Sequence, residues 1–160
     1  MMFAAEADSV FPPAIIAAII SALVTWGINV YMNVGHNARF ASGQVQKIIE
    51  FSITYPYLED DEFCNSWPNI TKDPASDKDD SRDRKQRYEN YCCHVFNTIE
   101  AIYEICKGEH DEMCKIMHPD EMILRHRKWW ETDTHNRSGY SDIFNQYVLN
   151  VLIKHHQRRA

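Results

Sequence analysis

Arg125-His126-Arg127-Lys128-Trp129-Trp130 is an unbroken run of cations followed by two indoles, with His135 and Arg137 just downstream. Guanidinium groups grip phosphate through paired hydrogen bonds, and indole faces stack on nucleobases. On a continuous helix Arg125 and Lys128 share a face, with Trp129 one turn from Arg125. Arg125, Lys128, Trp129, Trp130 and Arg137 are therefore the candidate ligand-binding residues, for an anionic or nucleotide-like molecule. The plainer reading puts one Trp in a core and the other at a membrane surface, with the cations facing anionic lipid or acidic side chains.

Two other groupings carry metal-ligating types. Cys106, His110, Cys114 and His118 recur every four residues, which stacks them on one helical face. Thiolate and imidazole suit zinc, but a straight ladder cannot wrap a tetrahedron and the usual paired Cys spacing is missing. Buried Cys beside surface His is the expectation, and no metal or other cofactor is assigned. Glu59-Asp60-Asp61-Glu62 with Asp73, Asp77, Asp79 and Asp80 lacks the alternating pattern, central Gly and closing Glu of a calcium loop. It reads as a solvated acidic loop. Glycine-rich phosphate loops, nucleophile elbows and His-Glu zinc helices are absent from the sequence, so no catalytic residue is assigned and an enzyme is not expected.

The elements that would position these groups follow from periodicity. Ser81 to Lys107 is the clearest helix, with Tyr88, Cys92, Val95, Ile99, Ile102 and Cys106 stepping by three and four and Gly108 as its stop. Residues 37–54 read as a helix with Phe40, Val45, Ile48, Ile49 and Ile53 partly periodic, ended at Tyr55-Pro56. Residues 56–80 read as a long acidic, polar loop. A short helix is expected near 110–117, and another from Pro119 to about Trp130. Residues 133–139 read as a turn. A last helix from Ser141 turns Phe144, Tyr147, Val148, Val151 and Leu152 inward. Strand signals are nearly absent, so the fold class is all-α.

The 160-residue chain is acidic overall, net −6, which argues against free-standing binding to duplex nucleic acid. Residues 59–83 hold nine acidic and three basic residues, and 125–160 hold seven basic and three acidic, so charge is polarised along the chain. Apolar residues are uneven too. No charge occurs from Val10 to Val34, and 14–32 read AIIAAIISALVTWGINVYM. A bilayer core needs roughly 20 helical residues, so this stretch is long enough to span one. Phe11, Trp26 and Tyr31 lie near its ends, where amphipathic rings prefer the interface. The acidic leader, with Glu6 and Asp8, is the wrong start for a cleaved signal peptide.

The expected organisation is a tail and transmembrane helix over 1–35 and a cytoplasmic helical domain over 36–160. His36, Arg39 and Lys47 place the C-terminal side in the cytoplasm, giving a single-pass protein of the inner membrane. Small residues Ala14, Ala18 and Ala22 form one row, beside Ala17, Ser21 and Thr25. Close backbone approach in lipid makes Ala14, Ala18, Ser21, Ala22 and Thr25 the candidate oligomer interface. Gly35 is a weak point between anchor and domain. Five cysteines, with Cys92 and Cys93 adjacent, do not fit a secreted disulfide framework and agree with reduced thiols in the cytoplasm.

This layout, with QVQKIIEFSITYPYLEDDEF, RYENYCCHVFNTIEAIYEICKG and HPDEMILRHRKWWE, resembles small bacterial single-pass helical membrane proteins, among them phage abortive-infection proteins. In plan it is also similar to membrane effectors of type III CRISPR defence, whose cytoplasmic domain binds a cyclic oligoadenylate. The resemblance covers residues 87–131 in residue pattern and the rest in architecture only. It implies a non-enzymatic membrane protein in a defence context. Joined to the small-residue rows and the cationic aromatic segment, it gives the leading expectation: an antiviral homo-oligomer in the bilayer whose cytoplasmic domain binds a ligand, such as a nucleotide second messenger, and perturbs the membrane. The resemblance transfers no site residue. The alternatives from the residues alone are a membrane-tethered scaffold for a cytoplasmic protein and a metal-dependent hydrolase.

Overall fold

A computed structural model describes residues 13–69, 81–132 and 134–158, with the side chains of 13–20, 27–35, 38, 69, 81–82 and 134–135 outside the description. Among the described residues every element is helical and none is a strand. The chain divides into two compact units, 1–38 and 39–160.

Helix α1 runs Pro13–Thr54 and is unbroken through Gly35, so the expected weak point is not a break in the backbone. Within the first unit, the described side chains 21–26 are exposed. Among the described residues no helix is long and apolar enough to cross a membrane. Most of the uncharged stretch, with Ala14 and Ala18, lies outside the described side chains.

The second unit is built around α3, Ser81–Ile105. Its three-and-four spacing buries Tyr88, Tyr91, Cys92, Val95, Phe96, Ile99 and Ile102 on one stripe. The last part of α1 contributes Ala41 and Ile48 to that core, with Val45 half-buried against it. Phe40, Ile49 and Ile53, expected on its inner face, are exposed. Helix α3 ends with Lys107 at φ 54° and Gly108 at φ 76°. Gly108 N–H donates to Tyr103 C=O at 2.9 Å and Lys107 N–H to Glu104 C=O at 3.2 Å. These two bonds satisfy the last carbonyls as in a Schellman ending. A Cβ on Gly108 would stand 3.0 Å from the Tyr103 hydroxyl, so that ring would have to give way by a few tenths of an ångström, and φ 76° strains any L side chain there.

The expected loop over 56–80 is corrected across its first half. Tyr55 leaves the helix (φ −132°, ψ 76°), Pro56 opens a 3-10 turn at Pro56–Glu59, and α2 follows at Asp61–Ser66, then a second 3-10 turn at Trp67–Asn69. Asp60 caps α2 by accepting from Phe63 N–H at 2.8 Å. Leu58, Cys64 and Trp67 are buried, which supplies the apolar reason for ordered turns inside an acidic stretch.

Downstream, α4 is His110–Cys114 and α5 is Pro119–Arg125. The helix expected to continue to Trp130 stops at His126 (φ −98°, ψ 17°) and restarts as α6, Arg127–Thr132. The His126 carbonyl accepts from both Trp129 N–H and Trp130 N–H, at 3.1 and 3.3 Å. One turn of helix, α7 at Thr134–Ser138, occupies the expected 133–139 turn. Helix α8, Asp142–Gln157, is capped by Ser141. Glu100 accepts from both the Ser141 amide and hydroxyl, at 2.8 and 2.9 Å, which ties this cap to α3. Phe144, Val148, Val151 and Leu152 are buried as the period predicts, while Tyr147 is half-buried.

Candidate functional site

The densest polar arrangement lies where the turn Pro56–Glu59, α3 and the α5–α6 break meet. His126 is fully buried and Glu59 is 21 % exposed. Three donors converge on the Glu59 carboxylate. Tyr91 hydroxyl donates to Oε1, Arg125 Nη1 donates to Oε2 at 2.5 Å, and His126 Nε2 lies 3.4 Å from Oε1. A carboxylate only accepts, so the His126 proton facing it is on Nε2. On the far side of the ring, Nδ1 lies 3.0 Å from the Tyr88 hydroxyl and 3.8 Å from Cys64 Sγ. Arg125 Nε also lies 3.6 Å from Asp61.

The electrostatics follow from this geometry. Burial alone would raise the Glu59 pKa, but hydrogen bonds from His126, Tyr91 and Arg125 and the His126 charge outweigh it and bring it down to about 2. Arg125 is held further above its ordinary range, chiefly by its hydrogen bond to Glu59. Burial pushes the Cys64 thiol up to about 11 and raises Tyr88 and Tyr91, with Glu59 adding to the last.

Cys64, His126 and Glu59 have the connectivity of nucleophile, base and orienting acid. Their surroundings oppose that chemistry. Cys64 is fully buried, its Sγ donates to Leu58 C=O at 3.2 Å, and its raised pKa disfavours the thiolate. The cluster instead fastens three segments that are far apart in sequence. In native protein, iodoacetamide should therefore modify exposed Cys93 while Cys64 and Cys92 stay unmodified until denaturant is added. Burial and Glu89 raise the Cys93 pKa, so its labelling should accelerate with pH. Peptide mass mapping checks this; Cys64 labelling at the Cys93 rate contradicts it.

The sequence-derived ligand residues do not assemble into one site. Arg125 belongs to the Glu59 cluster and lines a 410 Å³ groove with Asp61, Asn65, Glu121, Arg127 and His155. Lys128 is exposed and, past the His126 break, no longer shares a helix with Arg125. Trp129 and Trp130 are both buried, 1 % and 3 % exposed. They stack on Phe96 at centroid distances of 5.3 and 4.6 Å, so their faces are occupied. Of the five, Arg137 and Trp130 line a separate 760 Å³ groove beside α8. Of the proposed oligomer rows, Ser21, Ala22 and Thr25 are exposed, and the side chains of Ala14 and Ala18 lie outside the description.

In the Cys/His ladder, Cys114 Sγ and His110 Nε2 are 3.4 Å apart. Cys106 precedes the Lys107–Gly108 turn and His118 begins α5, so the four are not on one helix. Among the described residues no group of three or more His, Cys, Asp or Glu is placed to hold a metal ion. Asp73, Asp77, Asp79 and Asp80 lie outside the described residues.

Sequence reasoning missed Glu59, Tyr88, Tyr91 and His126 as partners. The only available signal was Glu59 directly after Leu58, an apolar residue opening an acidic run. Protein-family models, curated proteins and solved structures give no match to this chain.

Proposed function

We propose that the chain is a membrane-anchored, non-catalytic effector: the uncharged N-terminal stretch of α1 enters the bilayer, and the 39–160 unit works on the cytoplasmic side by docking protein. One observation carries this reading. Leu23, Val24 and Trp26 are 61, 56 and 67 % exposed inside a helix whose sequence has no charge from Val10 to Val34. Three large apolar side chains facing water within about one turn are unfavourable by roughly 1.5–3 kcal/mol each relative to burial. Lipid removes that cost without any partner residue.

Docking is favoured over a stacked nucleotide because both indole faces are taken by Phe96 and Arg125 is taken by Glu59 and Asp61. The messenger reading keeps one support, that the α8 groove, with Trp130 and Arg137 on its lining, has the volume of a small-molecule site. The defence setting rests on the resemblance of residues 87–131. A metal-dependent hydrolase has no support from the Cys/His ladder.

High-speed centrifugation after alkaline carbonate washing tests the anchor. The intact chain is expected in the pellet and a chain lacking residues 1–38 in the supernatant. Intact protein in the supernatant overturns the reading.

A further inference from the structure

Helix α8 carries a second, unpartnered face. Asp142, Leu149 and His156 are seven residues apart, two helical turns each, and so lie nearly in line along it. All three line the 760 Å³ groove, together with Leu152, Ile153, Trp130 and the charged Glu131 and Arg137. Leu149 and Ile153 are 47 and 43 % exposed there. The line is acid, leucine, histidine, with the leucine at its midpoint.

We propose that this face is a self-association surface, on which a second copy's α8 lies antiparallel with Leu149 at the two-fold axis. Polar complementarity selects that occupant and that direction, because an imidazole N–H donates to a carboxylate. Antiparallel placement about Leu149 sets each Asp142 beside the other copy's His156, and it satisfies both ends of the line at once. It also brings the N-terminal turn of each α8 near the other's C-terminal turn, which carries Lys154, His155 and His156. Helix dipoles favour the same arrangement. A parallel pair would set Asp142 against Asp142. The contact is isologous, so it closes at two copies. The proposal does not rest on membrane anchoring, because α8 and its groove lie wholly within the 39–160 unit.

Cysteine cross-linking of the full chain in mild detergent, with Cys93→Ser removing the exposed native thiol, tests it. Leu149→Cys is expected to oxidise to a covalent dimer at least tenfold faster than Ile143→Cys, which is 68 % exposed on the same helix but outside the groove. Asp142→Cys and His156→Cys should each stay monomeric alone, since like positions end up about 20 Å apart along the axis at 1.5 Å per residue. Mixed together, the two variants should cross-link. Equal rates for Leu149→Cys and Ile143→Cys overturn the proposal. Self-cross-linking of Asp142→Cys, the sign of a parallel pair, overturns it as well. Neither outcome bears on the anchor, which carbonate extraction reads separately.

Discussion

Replacing Phe96 by Ala is expected to lower the unfolding free energy of the 39–160 unit by about 3–5 kcal/mol, the range for losing a fully buried aromatic ring. Phe96 has no exposed surface. It stacks on Trp129 and Trp130 at interplanar angles of 24° and 26° and meets Tyr140 edge-on at 6.4 Å. Alanine would leave a void between α3 and α6 and strip both indoles of their stacking partner. Phe96→Leu keeps most of the volume and should cost clearly less. Denaturant unfolding followed by tryptophan fluorescence separates the two. A stable Phe96→Ala variant, within 1 kcal/mol of the parent, would mean that the indoles do not pack as described.

The second large effect belongs to Glu59. Its carboxyl sits at about 2 in the folded chain against an ordinary 4.5. Because the folded value is the lower one, the stabilisation is complete above pH 4.5 and disappears as pH falls from 4.5 toward 2. The shift corresponds to about 3 kcal/mol. Glu59→Gln should lose about that amount near neutral pH, because Arg125, Tyr91 and His126 then share a neutral acceptor. The variant should also lose this part of the acid sensitivity, so that the two stability curves converge as pH approaches 2. Urea midpoints measured from pH 2 to 7 check both features. Parallel curves with equal midpoints would remove Glu59 from its place as the fastening carboxylate.

What the sequence discloses here is local. Helix α3 is legible because its apolar residues keep one period from Tyr88 onward, over about five turns, and α8 because Ser141 caps a second periodic run. The burial of Cys64 and Cys92 follows from cysteine's preference for cores. The rest is decided by tertiary partners that spacing does not encode. No glycine or proline marks the break at His126; a fully buried imidazole between Tyr88 and Glu59 accompanies it. The acidic content of 59–62 suggests a loop, while Leu58, Cys64 and Trp67 turn the same segment into packed helical turns. Arg125 to Trp130 reads as one cationic aromatic face. The break instead separates Arg125 from the indoles and sends Trp129 and Trp130 into the core.

The anchor is the claim on which the proposed function stands, and Trp26 reports on it directly. The chain has four tryptophans. Trp67, Trp129 and Trp130 are buried in the second unit, while Trp26 is 67 % exposed in the uncharged stretch. When the full chain is reconstituted into vesicles whose acyl chains carry bromine, its fluorescence should be quenched, and Trp26→Phe should abolish the quenching. Equal quenching, or none, in parent and variant would contradict the insertion of this helix into lipid.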